Sequence, residues 1–72
     1  MNEIGKRCVE EIMQRVKRKG DLNVVLDKLD IHRQSLYQWG DGRYIPGGKV
    51  LRKMALEGYD IYYILTGVRK DC

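Results

Sequence analysis

Seventy-two residues are enough for one small domain, which buries only about 60% of its unfolded surface and so has a modest core. Fourteen Lys and Arg against ten Asp and Glu give a formal net charge of +4, a bias that suits a polyanion and that many merely soluble basic domains share. Apolar runs of a few residues, an N-terminal MNEIGKRC without an apolar signal region, and two cysteines with no CxxC pair beside His32 speak against a membrane span, a signal peptide, a disulfide framework and a zinc site. We therefore expect a cytoplasmic protein without metal or other cofactor.

Ile4, Cys8, Val9, Ile12, Met13 and Val16 recur at three- and four-residue spacing, with Glu3, Lys6, Arg7, Glu10, Glu11, Arg15 and Lys17 on the remaining face. This predicts an amphipathic first helix over 2–19. Lys17, Arg18 and Lys19 suit the C-terminal dipole of its last turn, and Gly20 supplies the stop. That basic run reads as a solvated helix end or as a phosphate-facing patch. A membrane-surface or calmodulin-target role fits less well, because the apolar face holds no Trp or Phe and the polar one carries glutamates.

Asp21 then stands where a side-chain cap would open a second helix over 22–29. Val25 and Leu29, four apart, stack on one face of it; Leu36 and Trp39, three apart, stack on one face of a third helix over 32–39. Between them lies Asp30-Ile31-His32, with Asp able to take the left-handed conformation of a sharp corner and Ile31 turned into the angle. This is the pattern of a helix-turn-helix. The other face of the third helix carries His32, Arg33, Gln34, Ser35, Tyr37 and Gln38, a row able to lie in a DNA major groove, where Arg pairs with guanine and Gln with adenine. Trp39, sharing a stripe with Leu36, reads as a core anchor rather than a base-stacking ring.

Gly40, Asp41 and Gly42 end that helix, and Arg43 to Gly48 form a loop without helical period, flanked by the charges of Arg43 and Lys49. Its glycines allow close backbone approach to a ligand such as a phosphate backbone, while Pro46 also suits a connector that starts the next helix. A fourth helix over 47–57 buries Val50, Leu51, Met54 and Ala55, and Gly58 closes it. Asp60 caps a fifth over 60–66, with Ile61, Ile64 and Leu65 facing inwards and Gly67 ending it; 68–72 is expected to fray. Tyr62 and Tyr63 are left partly outside, two adjacent rings that suggest an interface between two copies. The alternative is that one ring packs on the first helix and the other is wet.

From Asp21 to Gly67 the pattern resembles the DNA-binding domain of lambdoid phage repressors and related small bacterial regulators. The family's buried positions match Val25, Leu29, Ile31, Leu36 and Trp39; HRQSLYQWGDGR, 32–43, looks like its recognition helix with the closing glycine and basic residue, and YDIYYILTG, 59–67, like its final helix. Two residues depart from it, Leu26 where Ala is usual and Asp30 where Gly is usual. The resemblance implies an all-α, lambda repressor-like, single five-helix domain over 1–72. It further implies that Arg33, Gln34 and Gln38 reach base edges, with Ser35 and Tyr37 at bases or the nearby backbone. Asn23, Arg43 and Lys49 would hold phosphates, and the last helix would pair two copies through Tyr62 and Tyr63.

The expected function is sequence-specific binding of double-stranded DNA, with repression at an inverted-repeat operator as the regulatory outcome. The competing reading is a protein-interaction module on the same fold, an antitoxin or phage accessory protein, but the third helix exposes polar groups where a protein-binding helix would expose apolar anchors. RNA binding lacks a platform of exposed aromatics. An enzyme is not expected, since His32 has no Cys, Ser or carboxylate constellation and no glycine-rich nucleotide loop follows a strand.

Overall fold

The computed structural model describes residues 3–69, which form α1 (Glu3–Gln14), α2 (Asp21–Leu29), α3 (Arg33–Gly40), α4 (Gly48–Leu56) and α5 (Ile61–Thr66), with no strand among them. Residues 1–2 and 70–72 lie outside this range, and with them the expected helix start at residue 2 and most of the expected frayed tail. The last four helices match the boundaries read from periodicity to within one residue.

The first helix does not. It ends at Gln14 instead of residue 19, and Arg15 and Val16 donate their N–H groups to the carbonyls of Ile12 and Met13 in a tightening last turn. The reason lies in Asp21. Its carboxylate accepts the backbone N–H groups of Lys17 and Arg18, at 3.0 and 2.9 Å, and so draws this cationic stretch out of the helix and into the corner. Asp21 is accordingly the first residue of α2 and not its cap; Gly20, at φ 95°, takes the cap position without a side chain.

A single core holds Cys8 and Ile12 of α1, Leu26 and Leu29 of α2, Leu36 and Trp39 of α3, Met54 of α4, Tyr59, and Ile64 of α5. Leu26 is buried here, so its bulk is absorbed into the core. Gly5 is what lets α1 come in close. A Cβ on it would stand 2.6 Å from the carbonyl oxygen of Trp39 and 2.7 Å from that of Tyr44.

Four side chains face otherwise than periodicity suggests. Met13, Ala55 and Leu65 are exposed, and Glu11 is buried. Glu11 turns inwards because Arg69 meets it at 2.7 Å while also reaching Asp60 at 3.2 Å and lying over the ring of Tyr63, 3.9 Å from its centroid. Arg69 is thus tied down, contrary to the frayed tail expected from residue 68. Two further arginines, Arg7 of α1 and Arg15 just past its end, close other helices: Arg7 Nε donates to the carbonyl of Ile64, and Arg15 donates to that of Glu57 while stacking on Tyr59. Both satisfy orphan carbonyls at helix C-termini.

Candidate nucleic-acid interface

The corner between α2 and α3 is built on Asp30, which has φ 56° and ψ 49° and is the one non-glycine residue of positive φ among those described. Its N–H donates to Asp27 and that of Ile31 to Leu26, which closes α2 in a left-handed cap with Asp where Gly is commoner. The Asp30 carboxylate also meets Lys53 of α4 at 3.4 Å, an exposed pair that contributes little by itself. Ile31 packs against the core, and His32 is extended and starts α3.

Leu36 and Trp39 fix α3 from below, each only 6% exposed. Above them Arg33, Gln34 and Tyr37 are exposed, as is the cap residue His32, while Ser35 and Gln38 are half-buried at the edges of the helix. Arg33 and Asn23 are brought together: an Nη2 hydrogen of the guanidinium donates to Asn23 Oδ1 at 2.7 Å. Asn23 thus reaches across from the first turn of α2 to the first residue of α3.

Arg43 is exposed just after Gly42, which has φ 81°, and Lys49 is exposed in the first turn of α4. Between them Pro46 is fully buried, whereas added Cβ atoms on Gly47 or Gly48 would meet nothing within 4 Å. The fold itself does not crowd these two glycines.

The tyrosines of α5 diverge. Tyr62 is exposed, with Leu65 exposed three residues on. Tyr63 is half-buried, donates its O–H to Glu10 of α1 at 2.6 Å and lies under Arg69. That hydrogen bond to the carboxylate, which needs the proton in place, is the main reason the phenol's pKa is raised.

Beside α3 runs a groove of about 370 Å³, lined chiefly by Val9, Met13, Leu22, Leu36 and Tyr37, and also by Arg33 and Asp41. Among the described residues no three His, Cys, Asp or Glu gather as metal ligands, and no helix is long and apolar enough to cross a membrane. The buried Cys8 thiol, which donates to Met54 Sδ, is pushed up to about 12 by burial and by the nearby Glu11, so it is not a nucleophile near neutral pH.

Arg7, Arg15 and the Glu11–Arg69 pair carry structure that sequence reasoning missed; their signal was charge on an amphipathic helix, which looks the same whether solvated or paired. Compared with family models, curated proteins and solved structures, the chain finds no match.

Proposed function

We propose that this chain is a sequence-specific, double-stranded DNA-binding transcriptional regulator of the phage-repressor type. In this reading α2, the Asp30 corner and α3 are a helix-turn-helix, and α3 enters the major groove. The observation that carries it is the division of α3, with Leu36 and Trp39 anchored in the core and Arg33, Gln34 and Tyr37 turned to solvent. A short helix held rigidly by its apolar side can offer Arg to guanine O6/N7 and Gln to adenine N6/N7. Gln38 and Ser35 take the edges of the same surface, Arg43 and Lys49 hold phosphates, and the open space at Gly47 and Gly48 lets the sugar-phosphate backbone come close.

Repression follows from occupying an operator. Two copies pair through α5, where Tyr62 and Leu65 form the exposed apolar surface, and read an inverted repeat with half-sites about 34 Å apart. Selection from a random duplex pool tests this: an inverted repeat is expected, with affinity that falls steeply with salt. A pool without an enriched motif, or affinity flat in salt, removes the reading.

The groove beside Tyr37 favours a second reading, a helix-turn-helix protein-interaction module, since an apolar anchor of a partner protein would fit there. A partner-binding protein of that kind would show no preference among duplex sequences.

A further inference from the structure

We infer that Asn23 is a positioning residue that holds Arg33 ready for a guanine, and not a phosphate contact; this rests on the DNA reading above. Arg33 is the first residue of α3, a poor place for a cation, because the positive end of the helix dipole lies there and the first turn holds no acidic residue to offset it. His32 adds no side-chain cap bond. What holds the guanidinium is the neutral amide of Asn23, at 2.7 Å. The amide's orientation is unambiguous, since a guanidinium has only donors and so only Oδ1 can face it.

The choice of an amide matters. A carboxylate at this position would fix Arg33 equally well and neutralise it, leaving it a weaker partner for DNA. Asn23 engages one of five N–H donors and leaves the charge and the other donors available for a bidentate pair with guanine O6 and N7. A long, exposed arginine that is ordered before binding loses less rotamer freedom when it docks. Asn23 itself is exposed in the first turn of α2 and contributes nothing to the core, so its substitution leaves the fold intact.

The test is duplex selection from one random pool with wild-type protein, Arg33→Ala, Asn23→Ala and Asn23→Asp, together with the NMR signals of the Arg33 guanidinium in the free protein. The wild type is expected to enrich a guanine column that Arg33→Ala abolishes. Asn23→Ala should weaken discrimination in that column by about tenfold, leave the other columns and random-DNA affinity unchanged, and release the slowed guanidinium rotation. Asn23→Asp should keep the rotation slow, weaken the same column and lower random-DNA affinity. If Asn23→Ala lowers affinity for all sequences alike, Asn23 is a phosphate contact and the inference is overturned. An unchanged guanine column, or guanidinium rotation as fast in the wild type as in Asn23→Ala, overturns it too. A wild-type pool with no enriched column removes the DNA reading, and the inference with it.

Discussion

Gly5 of α1 lies against the backbone of Trp39 so closely that a Cβ on it would stand 2.6 Å from the Trp39 carbonyl oxygen. The obstacle is main chain at the end of α3, which cannot swing aside as a side-chain tip would. Gly5→Ala ordinarily gains up to about 1 kcal/mol inside a helix. Here we expect a net loss of about 1–3 kcal/mol from overpacking, read as a lower denaturant midpoint. A stabilised Gly5→Ala protein would mean α1 and α3 can move apart.

Arg69 is the partner that lets the Glu11 side chain, 8% exposed, remain inside the fold. Arg69→Ala strands that charge, and stranding a buried charge costs more than replacing both partners by apolar groups. The single variant should therefore melt at a lower temperature than Glu11→Met combined with Arg69→Ala. The reverse order would show that solvent reaches Glu11 and that the pair is screened like a surface one.

Cys8 makes the fold sensitive to alkali. Burial pushes its thiol up from 9.0 to about 12, so the folded chain favours the neutral form. The resulting stability is fully present below pH 9 and is lost as pH rises from there through 12. Urea midpoints should fall more between about pH 8 and about pH 10.5 for the wild type than for Cys8→Ala. Parallel declines would assign the alkaline loss to other groups, Tyr59 first, whose phenol is also raised by burial.

The positions of α2 to α5 were legible because their signals are local: spaced apolar residues, Asp60 as a cap, Gly67 at φ 79° as a stop, and Asp30 in the one conformation the corner allows. The end of α1 was not, because Asp21 competes for the amides of Lys17 and Arg18 across a turn that periodicity does not register. Glu11, Arg7 and Arg15 were misjudged for a related reason. Whether a charged residue on an amphipathic helix is wet or paired depends on Arg69, or on helix ends at Glu57 and Ile64, more than forty residues away in sequence. On α3 the sequence put Leu36 and Trp39 inside and Arg33, Gln34 and Tyr37 outside, as they are, but it grouped the half-buried Ser35 and Gln38 with the exposed row and carried no sign that Asn23 would engage Arg33.

On a selected operator, Arg33→Ala, Gln34→Ala and Gln38→Ala should each cost about 1–3 kcal/mol, with little loss on random DNA for the two glutamine variants and, for Arg33→Ala, which also removes a charge, a smaller loss there than on the operator. Arg43→Ala and Lys49→Ala should weaken both DNAs alike and each reduce the salt slope by about one unit. Titrations of both DNAs at several salt concentrations separate the two classes. Uniform losses across all five variants would leave α3 as a generic cationic surface and not a reader of bases.

The two tyrosines of α5 should separate in their effects on pairing. Tyr62 and Leu65, 47% and 45% exposed, sit three residues apart on one outer stripe of the helix, while Tyr63 is half-buried, with its hydroxyl on Glu10 and its ring under Arg69. An interface between two copies would therefore centre on Tyr62 and Leu65, and Tyr63 would serve it only by holding α5 on α1. Tyr62→Glu with Leu65→Glu should give a folded monomer that binds a full operator much more weakly and a single half-site unchanged. Tyr63→Phe removes the hydrogen bond to Glu10 and should lower the melting temperature slightly while leaving association intact. Sedimentation on and off the operator distinguishes these outcomes. A double variant that still sediments as a dimer would move the interface to the end of α4, where Leu56 is 71% exposed, and Leu56→Glu would then be the variant that yields the monomer.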